Sequence, residues 1–183
     1  MAAFEEFGAH GLETPSLDAI CARAGYTRGA FYVHFKDRDE LIAAVMERVL
    51  KRFMDAMIAT GDAALDLERT VRTFAEAIAH GFTPLNTGVR TYQLYQACAR
   101  SEVVRLRHVQ LVSEAQRRVG SAVAEGQQAG TVRADVDPQQ LGLLLVGLVL
   151  ATDILQELEF PFDVKTTADV VMQLLRPGVG PAK

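Results

Sequence analysis

Between positions 27 and 38 the chain gathers Thr27, Arg28, Tyr32, His34, Lys36 and Arg38, with two small residues, Gly29 and Ala30, among them. The chemistry open to such a set is hydrogen bonding and charge, not bond making. A guanidinium such as Arg28 can meet two acceptors on a guanine edge at once. A hydroxyl such as that of Thr27 or Ser16 can donate to a phosphate, and small residues let a helix approach a groove closely. Two readings stand for Tyr32: a core aromatic with its hydroxyl in water, or a phosphate contact. Catalytic groupings are not found. There is no nucleophile beside a base, no Glu-x-x-His pair, no glycine-rich phosphate loop and no Cys-x-x-Cys, and His10, His34, His80 and His108 are scattered. The expectation is a protein without catalytic activity, metal or cofactor.

The elements that must position these residues are two short helices and a turn. Leu17, Ile20 and Cys21 recur at i, i+3, i+4; Ser16 can cap the first helix and Gly25 can close it in the left-handed conformation. The second helix starts near Thr27 and exposes Thr27, Arg28, Gly29 and Ala30 in its first turn. Phe4, Phe7 and Leu12 give a preceding helix its apolar face, with Gly8 and Gly11 expected to fray its end. Phe31, Tyr32 and Phe35 are expected to complete a three-helix core. Asp37 or Asp39 can cap the next helix, Asp39 to Ala59, whose apolar stripe runs from Leu41 through Met46 and Leu50 to Met57.

From Gly11 to Leu41 the run G-x-x-T-P-S-L-x-x-I-x-x-x-A-G-x-T-R-G-A-F-Y-x-H-F-x-D-R-x-E-L resembles the DNA-binding region of TetR-family transcriptional regulators. The resemblance implies an all-α fold, with a three-helix helix-turn-helix DNA-binding domain over 1–38 and a helical ligand-binding and dimerisation domain over 39–183. It implies DNA contact through Ser16, Thr27, Arg28, Gly29, Ala30, Tyr32, His34, Lys36 and Arg38, the last standing where a lysine is commonest. It further implies a homodimeric, ligand-responsive repressor that binds a palindromic operator and is released by a small lipophilic or aromatic effector. The alternative is a TetR-like ligand carrier or interaction module that no longer binds DNA.

A chain of 183 residues, 49 % hydrophobic, can bury one good core or two small ones, and 7 % aromatic with no Trp points to aliphatic helix packing. The apolar run Leu141 to Ala151 is about half of the roughly 20 residues needed to cross a bilayer. It therefore reads as a helix buried on two sides, and no membrane partner is expected. The opening residues do not read as a secretory leader, since Glu5 and Glu6 interrupt them, so a cytoplasmic protein is expected. Cys21 and Cys98 sit in apolar helical patterns and read as buried thiols. Net charge is −4, and residues 1–50 hold five basic against eight acidic side chains, so nonspecific phosphate attraction should be weak. Either the basic residues cluster on one face with the acids turned away, or a basic arm is missing. The start MAAFEEFGAHG reads as a helix already in progress, and such an arm is expected to be absent from this sequence.

Further helices are expected at about Ala64 to His80, Thr87 to Ala99, Glu102 to Ala129, Pro138 to Glu157 and Thr166 to Leu175, the last capped by Thr166 or Thr167. Gly61-Asp62 and the stretch Thr83 to Gly88 read as breaks, and the tail from Arg176 as frayed. Polar groups on apolar stripes suit an effector pocket, with Phe74, Ile78, Tyr92, Tyr95, Gln96, His108, Leu111 and Asp153 as its expected lining. Asp153 would be costly to bury unpaired, and Arg90, Arg105 or a ligand could meet it. The helix bearing Leu141, Leu145, Leu148 and Thr152, with Val171, Leu174 and Leu175 of the final helix, is the expected dimer interface, and Gly142 and Gly147 would permit close approach.

Overall fold

Each helix end that bears on the site has a local chemical cause. The computed structural model describes residues 2–57, 67–81 and 89–177. The chain forms α1 (Ala2–His10), α2 (Leu17–Ala24), α3 (Arg28–His34), α4 (Arg38–Met57), α5 (Leu67–Ala79), α6 (Thr91–Arg100), α7 (Glu102–Gln128), α8 (Pro138–Glu157) and α9 (Val164–Leu175). Among the described residues every regular element is helical, as the sequence implies. Ser16 accepts from the Ala19 amide at 3.1 Å to open α2, and Thr27 accepts from the Ala30 amide at 3.2 Å to open α3. Asp37 accepts from the Glu40 amide at 3.0 Å ahead of α4, and Asp137 from the Gln140 amide at 2.8 Å ahead of Pro138. Each satisfies a backbone donor that has no partner inside the helix. Gly25 ends α2 at φ +72°, its N–H on the Ala22 carbonyl and that of Tyr26 on the Cys21 carbonyl. Nothing stands within 4 Å of where its Cβ would be, so glycine serves the backbone sign here and not space.

Some boundaries differ from expectation. α1 runs through Gly8 and turns only at Gly11, φ +80°. α9 begins earlier than Thr166 because Asp163 is its cap: the carboxylate accepts from the Lys165 and Thr166 amides and from the Thr166 hydroxyl. The breaks at Gly61-Asp62 and Thr83 to Gly88, the end of the helix at Ala59, the start at Ala64, and the tail beyond Pro177 lie outside the described residues, whereas α6 begins at Thr91, later than expected, because the cap residue Arg90 is extended and Val89 before it is not helical.

The chain divides into two compact units, Met1–Arg52 with Pro84–Leu111 and Phe53–Thr83 with Val112–Lys183. In the first, Phe7, Leu12, Ile20 and Phe31 share one core with Ile42 and Met46 of α4, Leu94 of α6 and Val104 of α7. The helix-turn-helix therefore does not stand on three helices alone: α4, α6 and the start of α7 fill its inner side. Burial of each such side chain is worth about 1.5–3 kcal/mol. Phe35 packs on this core, but Tyr32 does not, being 53 % exposed.

In the second unit Val123 of α7, Leu67 of α5 and Met172 and Leu175 of α9 form the core, with Val132 from the loop before α8. A Cβ on Gly142 of α8 would lie 2.7 Å from the Gly120 amide nitrogen of α7. Two glycines thus let these helices meet backbone to backbone. Gly147 meets nothing. α8 is long and apolar enough to cross a membrane, yet it buries Val146, Thr152 and Asp153 against its own unit while Leu144 is 70 % exposed. One side of this helix is buried in the single chain, and the other is left open, the side expected to meet a second subunit.

Candidate nucleic-acid interface

α3 carries the exposed set. Thr27, Arg28, Gly29, Tyr32, His34 and Lys36 are exposed, Ala30 is half-buried, and Ser16 is exposed at the start of α2. Phe31 is the residue of α3 that holds the helix to the core, and its ring meets Tyr32 edge-on at 5.1 Å and Phe35 at 5.5 Å. Arg28 donates to the Tyr32 hydroxyl at 3.5 Å and lies 3.5 Å from the Asp18 carboxylate of α2. Tyr32 first, then Asp18, raise the Arg28 pKa further above its already high value. The guanidinium is thus fully charged and is held at the head of α3 by one neighbour on each short helix.

Arg38 is placed differently. It is half-buried, its guanidinium lies 5.7 Å from the centre of the Phe7 ring, and it donates to the carbonyls of Leu12 and Pro15. Burial lowers its pKa. Those donors tie the α1–α2 loop to the start of α4, so a phosphate would have to share this side chain with two backbone oxygens.

The acidic excess of the first 50 residues is accounted for by pairing. Arg23 holds Glu5 at 3.4 Å and Glu6 at 2.5 Å; Arg100 of α6 meets Glu13 and Asp39; Arg107 of α7 lies 2.6 Å from Glu47 and Lys51 2.8 Å from it. Asp37 caps α4, Glu40 accepts from the Lys36 amide at 2.7 Å, and Asp18 faces Arg28. Arg100 and Arg107 were not foreseen, because their partners lie 60 or more residues away in the chain and no local spacing marks them. Two exposed apolar residues were also missed on the same segment, Tyr26 in the turn, 68 % exposed, and Val33 on α3, 78 % exposed. Tyr26 could have been found, as an aromatic outside the apolar period of α2.

The expected effector residues fall into both units. In the first, Tyr95 meets His108 edge-on at 6.0 Å, while Tyr92 and Gln96 are exposed on α6. His108 and Leu111 line a shallow depression with Ala43, Met46, Leu94, Val104 and Arg107. It encloses no room even for a water molecule, so it is not a preformed ligand pocket. Burial lowers the His108 pKa, so its ring is neutral at pH 7, and its buried Nδ1 has no partner. Cys98 is half-buried on the neighbouring face, and desolvation raises its pKa, which leaves it a weak nucleophile. In the second unit, Ile78 is buried, Phe74 meets Phe53 edge-on at 6.0 Å and Asp153 is buried. Burial, with Glu157 adding to it, pushes the Asp153 pKa up to about 7.

The residues expected at a dimer interface divide by face. Leu148 is exposed and Leu174 is 63 % exposed, but Leu175 and Thr152 are buried in their own unit and Leu141, Leu145 and Val171 pack on its core. The exposed apolar residues of this region are Leu143, Leu144, Leu148 and Ile154 on α8 with Val170 and Leu174 on α9.

Residues 1–45 match the sequence model of bacterial regulatory proteins of the tetR family. Over 45 residues the chain is 47 % identical to TtgW of Pseudomonas putida, described as an uncharacterized HTH-type transcriptional regulator; the stretch is 25 % of this chain and 34 % of that protein. The match thus spans about a third of that relative's length. Among solved structures, E. coli NemR aligns with a TM-score of 0.76 at 15 % identity, over 97 % of this chain and 95 % of that one. The SmeT–triclosan complex aligns with a TM-score of 0.67 at 26 % identity, over 100 % of this chain and 94 % of that one. The family match covers the helix-turn-helix over residues 1–45, and the all-helical fold shared with these structures extends over nearly the whole chain.

Proposed function

We propose that this chain is a ligand-responsive repressor that binds a palindromic operator as a homodimer and releases it when a small lipophilic or aromatic effector binds. The observation that carries the reading is the contrast on the first unit. Its acids are engaged in pairs and caps, Asp18 with Arg28 among them, while Arg28, Tyr32 and His34 stand exposed on α3 and Lys36 just beyond its end. That contrast weakens the alternative of a carrier that no longer binds DNA, whose main support was the acidic start. SmeT, a structural relative solved with triclosan, supports a small aromatic effector by analogy. A chromosomal operator is a cytoplasmic target.

The dimer in this proposal forms through the outward side of α8 and α9, where Leu144, Leu148 and Leu174 are exposed and Gly147 leaves open space. Two copies of α3 could then read half-sites one helical turn apart, or a multiple of it. Release is a population shift: an effector with different affinity for two arrangements of α4 changes the spacing of the two α3 helices, and only that difference in affinity drives the change. Selection of bound fragments from a random duplex library, at low and moderate salt, tests the reading. Recovery of one palindrome supports it; failure to enrich any sequence moves the carrier reading to first place.

A further inference from the structure

Asp153 and Gln156 lie three residues apart on α8, so their side chains leave the same side of the helix. Asp153 is 4 % exposed. Its Oδ1 and the Oε1 of Gln156 are both buried, and neither has a hydrogen-bond partner. Turning the Gln156 amide round would not relieve this. Its Nε2 donates to the Ile78 carbonyl of α5 at 3.4 Å, an oxygen that can only accept, so Oε1 is necessarily the bare end. Glu157, one residue further on, adds its negative field to Asp153. Both unpartnered atoms are oxygens, and what they lack is a donor, best a positively charged one. The stretch of α5 that Gln156 reaches bears apolar side chains. Ile78, whose carbonyl holds Gln156, lies one turn from Phe74 on the same face of α5, and Phe74 is edge-on to Phe53 at 6.0 Å. All of these residues belong to one compact unit.

We propose that Asp153 and Gln156 form the polar end of a binding site for the protonated amine of a lipophilic organic cation, with Phe74 and Ile78 along its apolar body. An ammonium group supplies several donors in a small volume and can serve the carboxylate and the amide oxygen together. A neutral hydrocarbon would leave both oxygens bare, and an anion would be repelled. The inference rests on the effector reading above and narrows its ligand class.

The test is isothermal titration calorimetry on the full chain without DNA, using 4-phenylbutylammonium and 4-phenylbutanol, which share a body and differ in head charge. The wild-type protein should bind the amine about tenfold or more tightly than the alcohol. Asp153→Asn should reduce that ratio to about one, and Gln156→Met should lower amine affinity by about threefold while leaving the alcohol unchanged. An amine that binds no better than the alcohol overturns the proposal, and so does a preference that survives Asp153→Asn. The wild-type ratio and the Gln156 variant keep the test decisive if Asp153→Asn fails to fold. Because no DNA is present, failure here is separable from failure of the regulator reading: a protein that enriches a palindrome yet ignores the amine refutes this site alone.

Discussion

Replacing Asp153 by asparagine should stabilise the protein at alkaline pH far more than at acid pH. The buried carboxyl titrates at about 7 in the folded chain against an ordinary 3.8, so folding raises its pKa by about three units, worth about 4 kcal/mol at roughly 1.4 kcal/mol per unit. The sign follows from proton binding. A carboxyl with a raised folded pKa favours the folded state fully below 3.8, and that contribution is lost as pH rises through 7. By about pH 5 roughly a third of the loss has occurred, and by about pH 8.5 nearly all of it. Asparagine does not titrate, so the stability difference between variant and wild type should grow by about 2.5–3 kcal/mol over that interval. Groups that the substitution does not affect cancel in the difference between the two proteins. Urea unfolding followed by far-ultraviolet circular dichroism at both pH values, at one protein concentration, measures this directly. A difference that stays constant within about 0.5 kcal/mol between the two pH values would refute the reasoning.

Arg28→Ala should weaken specific operator binding by about tenfold or more with the oligomeric state unchanged; fluorescence anisotropy on a selected operator checks it, and unaltered affinity would remove that side chain from the interface. Gly142→Ala should cost about 1–3 kcal/mol, because its methyl group would run into the α7 backbone at Gly120. Gly147→Ala has open space and should leave folding unchanged or improved by up to about 1 kcal/mol; equal effects at the two glycines in thermal unfolding would contradict the helix contact. Leu144→Glu combined with Leu174→Glu should convert the proposed dimer to a monomer in sedimentation velocity, and a persistent dimer would shift the interface elsewhere.

The helix-turn-helix was legible because its determinants are local. Ser16, Gly25, Thr27 and Asp37 act within four residues of their own positions, and the structure uses each as a cap. The apolar residues of α2 and α4 likewise declare their face by period alone. What the sequence withheld was set by partners far along the chain. Nothing near Arg100 or Arg107 announces that they neutralise Glu13, Asp39 and Glu47, and Arg38 spends its donors on the carbonyls of Leu12 and Pro15, more than 20 residues earlier. α8 was hard to read for another reason. With apolar residues all round, period does not distinguish the side that meets α7 from the side left open, and so Thr152 was assigned outward although it is buried.

The distribution of arginines bears on how such a chain could read DNA at a net charge of −4. Arg23, Arg100 and Arg107 are paired with acids and Arg38 with backbone carbonyls, so few of the basic groups of the first unit are left for phosphates. A small number of released counterions means a weak, sequence-independent attraction, and affinity must then come from base contacts such as those open to Arg28. One half-site offers few of these. Joining two in a dimer makes the second contact intramolecular and multiplies the discrimination, which makes self-association an energetic requirement of the proposed function. α8 connects this requirement to the effector. The helix that presents Leu144 and Leu148 outward for a second subunit carries Val146 and Asp153 inward, so a cation drawn to Asp153 would act on the same rigid element that the proposed dimer is built from.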